Sequence, residues 1–67
     1  MIHDRVVIDY TNYRGERSKR LIQPHFISFR SSQFHTEMQW LLAAVDIEKN
    51  ADRDFAMKDI HSWEPAP

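Results

Sequence analysis

A chain of 67 residues with no cysteine, one glycine and a net charge of -1 has room for one domain and for no disulfide framework or thiolate metal cage. At this size folding hides only about 60% of the surface the unfolded chain exposes, which implies modest stability and leaves no space for a second module. No run of about 18 apolar residues exists for a membrane span, and Met1-Ile2-His3-Asp4-Arg5 lacks the apolar core of a signal peptide, so a cytoplasmic protein is expected.

The small net charge hides an asymmetry. Residues 1 to 33 carry six Lys and Arg against three acids, and residues 34 to 67 carry three against seven. Such a dipolar chain is suited to meeting an anion with one face, or to pairing with itself or with a partner.

In chain order, Val6-Val7-Ile8-Asp9-Tyr10-Thr11-Asn12 is rich in β-branched and aromatic residues, with Val6, Ile8 and Tyr10 on one side, and reads as a strand. Asn12-Tyr13-Arg14-Gly15 reads as the turn of a hairpin, with the chain's one glycine where a left-handed residue is needed. Arg17 to Gln23 supplies the returning strand, which Pro24 is expected to end because it has no N–H for the ladder. Phe26-Ile27-Ser28-Phe29-Arg30 is a third extended run, and Ser31 to Gln33 a polar loop.

Met38-Gln39-Trp40-Leu41-Leu42-Ala43-Ala44-Val45-Asp46 is the longest apolar run. It satisfies two templates: Met38, Leu41, Leu42 and Val45 fall at helical spacing behind a capping Thr36, whereas alternate residues give a strand apolar on both faces. Strands before and after it favour the strand, and Trp40 then reads as a core anchor, with Phe26, Phe29 and Phe55 also in the core. Ile47 to Asp52 is a charged connection, Asp54 to Lys58 a last strand, Asp59 to Trp63 one helical turn, and residues 64–67 a loose tail. The fold expected is all-β, a small SH3-like or Sm-like β-barrel of about five strands, as a single domain spanning residues 1–67.

Arg14, Arg17, Lys19 and Arg20 form the densest basic group. With Tyr13 at the turn they suit tracking a phosphate backbone while a ring stacks on a base; the plainer alternative is a solvated hairpin tip. Trp63 either covers an open barrel end or contacts a partner. The four histidines, at 3, 25, 35 and 61, show no metal-ligand spacing and read as surface or capping groups. With no cysteine, Gly-rich phosphate loop or nucleophile elbow, nothing points to an enzyme or to a bound cofactor.

Trp40-Leu41-Leu42-Ala43-Ala44-Val45-Asp46 resembles the signature of the WYL domain, a β-barrel of the Sm-like or SH3-like kind named for a Trp-Tyr-Leu tripeptide. The likeness runs from about Val6 to Ile60. Ile8-Asp9-Tyr10 and Gly15-Glu16 match the family's first hairpin, Arg20-Leu21-Ile22-Gln23-Pro24 its Arg, branched apolar and Pro pattern, and Arg53 to Ile60 its closing strand. The chain is similar above all to short stand-alone bacterial and phage members. Two positions depart from the pattern: Leu41 stands where the family's Tyr would be and Asp59 where an Arg is expected. WYL domains usually follow a helix-turn-helix in transcription regulators and sense effectors there, and some bind single-stranded nucleic acid. The resemblance thus implies a non-enzymatic regulatory module for single-stranded DNA or RNA, or for a small anionic effector, with Tyr13, Arg14, Arg17, Lys19, Arg20 and Arg53 as its contacts. The alternative reading is a protein-interaction or self-association module, with a protein partner or a homo-oligomer as its product.

Overall fold

The computed structural model describes residues 4–67; His3, counted among the histidines above, lies outside the described residues. Five strands form one antiparallel sheet: β1 (Val6–Thr11), β2 (Arg17–Arg30), β3 (Gln39–Asp46), β4 (Ala51–Ala56) and β5 (Ile60–Pro65), with a single 3-10 turn at Met57–Asp59 between the last two. The strand order is β4-β3-β2-β1-β5, so only β5 leaves its chain neighbour, crossing to pair with β1. Among the described residues no helix is long and apolar enough to cross a membrane.

The all-β expectation is met by five strands in one sheet that does not close into a barrel, β4 and β5 standing at its two edges, and the strands are cut differently from the reading above. Pro24 does not end a strand: β2 runs through it from Arg17 to Arg30, and the missing N–H is absorbed by a bulge between Pro24 and Phe26. Across the bulge β2 advances two residues while β3 advances one, from Pro24 opposite Ala44 to Phe26 opposite Ala43. This extra residue switches the alternation. Ile22 and Pro24 face the core before it, and Ile27 and Phe29 share the face of Leu42 after it, while Phe26 is turned to the other side.

The chain end differs as well. The expected helical turn at Asp59 to Trp63 and the loose tail are replaced by β5, which takes in Glu64 and Pro65; the 3-10 turn lies just before it. Pairing with β1 supplies the backbone partners that make the strand preferable, and Ala66 N–H donates to Arg5 O at 3.1 Å.

The sheet is curled. In the strand order β1 and β4 are separated by β2 and β3, which in a flat sheet would hold them about 14 Å apart. Instead Ala56 N–H on β4 donates to Tyr10 Oη on β1 at 3.1 Å, and the Tyr10 and Phe55 rings meet edge to face at 4.9 Å. The inner face of the curl is the core: Val6, Ile8, Tyr10, Ile22, Leu42, Ala44 and Phe55, with Met57 and Ile60 packed against it. Each of its larger side chains contributes about 1.5–3 kcal/mol by leaving water. Burial pushes the Tyr10 hydroxyl above its ordinary pKa and outweighs the Ala56 N–H that favours the phenolate, so Tyr10 stays a neutral phenol at physiological pH.

The central apolar stretch is a strand, and Leu41 and Leu42, on its opposite faces, are both fully buried. Trp40 is not the core anchor expected; it is 57% exposed, and Phe29 and Phe26 are exposed with it. Register supplies the reason. β4 covers β3 only as far as Leu41, and β1 reaches along β2 only to Ile22. The far end of the β2–β3 hairpin therefore projects past both neighbours, where the Trp40 and Phe29 rings cover one another at 5.4 Å.

Candidate anion-binding groove

The β1–β2 turn is built by Asn12. Its Oδ1 accepts from the N–H groups of Arg14 and Glu16, both at 2.9 Å, its backbone carbonyl accepts from Gly15 N–H at 2.9 Å, and Gly15 takes φ +82°. This frame lifts Tyr13 and Arg14 out at the tip, with Tyr13 60% exposed. Arg14 Nε donates to Tyr13 Oη at 3.3 Å, and the guanidinium carbon lies 5.6 Å from the centre of that ring.

Phe34 reaches Tyr13 from the loop between β2 and β3. Reciprocal backbone bonds of Ser32 and His35, at 2.8 and 3.2 Å, fold that loop, and Phe34 stacks on Tyr13 at 5.3 Å with 27° between the ring planes. Beneath the pair opens a hollow of about 350 Å³, with Tyr10 and Phe55 among its lining and Arg14, Arg20, Lys49 and Arg53 as its cations; Glu16 is the one acid that lines it. A second hollow of about 440 Å³ carries His25 and Phe26 and shares Phe34 and Arg53 with the first. The second is lined also by Asp52 and Asp54, so the positive side chains gather in the first hollow, beside the Tyr13–Phe34 stack, and the two make a groove that is cationic at one end.

The cations differ in how far they are already engaged. Arg20 Nη1 donates to the buried Asp46 at 3.2 Å and its Nε to Ser18 Oγ at 2.9 Å; Asp46 also accepts from Lys49 N–H at 3.3 Å. Arg20 therefore belongs to the floor, its charge offset. Arg53, exposed on β4, makes a weak 3.4 Å bond to the backbone carbonyl of Asp52. Arg14, Lys49 and Arg53 are thus the cations with charge to offer a ligand.

Four of the six residues expected to make the site are brought together here: Tyr13, Arg14, Arg20 and Arg53. Arg17 and Lys19 are not. Both fall on the outer face with Asp9, which lies opposite Lys19 in register, and Arg17 grips Asp9 with two bonds of 2.9 and 3.0 Å. Strand alternation divides the basic run between the two faces of the sheet. The hydrogen bond from Arg17 holds the Asp9 carboxyl below the usual carboxylate range, and Arg30 acts likewise on Asp54 across β3. Sequence reading missed Phe34, His35 and Lys49. A lone Phe amid Ser, Gln and His was a usable signal for Phe34, whereas nothing local marked Lys49, which reaches the groove because the β3–β4 turn lies beside it. Among the described residues no group of three His, Asp or Glu is placed to hold a metal ion.

Comparison with protein-family models, with curated proteins and with solved structures found no match.

Proposed function

We propose that this chain is a non-enzymatic binding module for an anionic ligand carrying flat rings, with single-stranded nucleic acid the reading that fits its groove best. The curl that brings Tyr10 on β1 to Ala56 on β4 supports, short of closure, relation to the small SH3-like barrel of WYL domains, which the sequence resembles. The observation that carries the functional reading is the first hollow, where Arg14, Lys49 and Arg53 gather beside the Tyr13–Phe34 stack; the second, which shares Phe34 and Arg53 with it, adds the Phe26 ring together with Asp52 and Asp54. Aromatic faces beside cations are what a base-and-phosphate repeat requires. A small anionic effector would fill one hollow and leave the other unused.

The test is fluorescence anisotropy with labelled thymidine and uridine oligomers across a salt series. Three available cations predict a log–log slope of about -2, each phosphate contact adding about -0.7. Arg53→Ala should shallow the slope by about 0.7, and Tyr13→Ala should weaken binding by about 1–3 kcal/mol. Saturation by a single mononucleotide with no gain from longer strands would assign the groove to a small effector. Absence of binding at low salt would remove the reading. Arg20→Ala is a poor probe, because it strands Asp46 in the interior and confounds binding with folding.

A further inference from the structure

A second surface stands apart from the groove. Ile27 and Phe29 on β2 and Trp40 on β3 share the inner face by register, Met38 immediately precedes β3, and these four side chains are 42%, 52%, 57% and 58% exposed, respectively. They leave on the order of 500 Å² of largely apolar surface in water at the end of one hairpin, at the upper end for a protein of any size. None of the four lines the groove.

We infer that this hairpin end is a self-association surface, occupied by the same patch of a second copy across a two-fold axis. Area is the first reason: two such patches hide on the order of 1,000 Å² together, the lower bound for a specific interface, whereas a partner offering an ordinary polar surface would leave four apolar side chains poorly matched. Charge is the second. Arg30, at the end of β2, is bonded to Asp54, so it adds no uncompensated charge to select a foreign partner, and a net charge of -1 gives copies little reason to repel one another. Geometry is the third. Phe29 and Trp40 already meet edge to face, which leaves each ring with a free side, and a two-fold axis lets one pair receive the other without any second surface. An interface near the lower size limit is a weak one, so dissociation in the range of roughly 10 µM to 1 mM is expected.

Sedimentation equilibrium over that range, on the intact chain and on a Phe29→Thr, Trp40→Thr double variant, is the test. The wild type should move from the 8.0 kDa of one chain towards twice that mass, and the variant should stay at one chain with its circular dichroism unchanged. Amide chemical shifts followed over the same dilution should move at residues 27–30 and 38–41. An Arg14→Ala, Arg53→Ala variant should dimerise like the wild type while losing oligonucleotide affinity, which separates this surface from the groove. A wild type that holds the single-chain mass at about 1 mM, a double variant that dimerises equally well, or shifts confined to the outer edges of β4 and β5 would overturn the inference.

Discussion

The two halves of β2 leave their apolar residues in opposite surroundings. From Arg17 to Leu21 the strand has β1 alone as a neighbour, its arginines are tied to aspartates, and Ile22, paired with both β1 and β3, is fully buried. From Phe26 to Arg30 it has β3 alone as a neighbour, and two phenylalanines and an isoleucine stand in water. Apart from Ile22 each half has a single strand beside it, so strand count does not decide burial; the layer that closes over the inner face does, with Tyr10 and Phe55 meeting on the side of Ile22. In a curled sheet of this size an apolar residue is buried only where a second layer returns over it, and β1 ends too soon to cover the far half.

The sharpest way to break this comparison is Asp46→Ala. It removes the partner of Arg20 in the covered half and leaves a buried charge uncompensated, which should cost about 3–5 kcal/mol in urea denaturation. Tyr10→Phe comes next: the Ala56 N–H loses its acceptor in the interior, for an expected loss of about 1–3 kcal/mol by the same measurement. Gly15→Val should cost about 1–2 kcal/mol and lower the melting temperature, because Gly15 sits at φ +82° although the space around it is open. A smaller effect is expected from acid. Asp54 has its folded pKa depressed below 3.8, first by the hydrogen bond from Arg30, so its contribution is complete above the unfolded value and is lost as pH falls through the folded one. Being partly exposed, the pair should supply well under about 1 kcal/mol, and Asp54→Asn should lower stability at pH 7 by that amount and flatten the acid limb, the two curves converging once pH falls below the folded pKa of Asp54. Last, Phe29→Thr at the projecting end should change monomer stability by less than about 0.5 kcal/mol; a loss of 3 kcal/mol there would show that the far half is covered after all.

Much of the fold was legible because β-branched alternation and turn chemistry are local signals. Val6, Ile8 and Tyr10 announced β1 and its inner face, and Asn12 and Gly15 announced the turn. Pro24 misled because its usual consequence, an end to pairing, depends on whether a bulge can absorb the missing donor, and that is decided by β3. Trp40 misled for a related reason: its chemistry is that of a core residue, but its burial depends on where β4 stops. The basic run was visible as a run, yet only alternation with a known register divides Arg17 and Lys19 from Arg20. β5 was hidden altogether, since Ile60-His61-Ser62-Trp63-Glu64-Pro65 has little strand character until β1 offers it an edge.

That last pairing has a consequence for how the chain can be rewired. Val6 lies opposite Pro65, and Ala66 is bonded to Arg5, so the first and last strands finish side by side. A short linker joining them, with a new opening cut in the solvent-facing turn at residues 47–50, would preserve every strand pair in altered chain order. The same adjacency suits the domain to being spliced whole into a surface loop of another protein, entering and leaving at nearly one point.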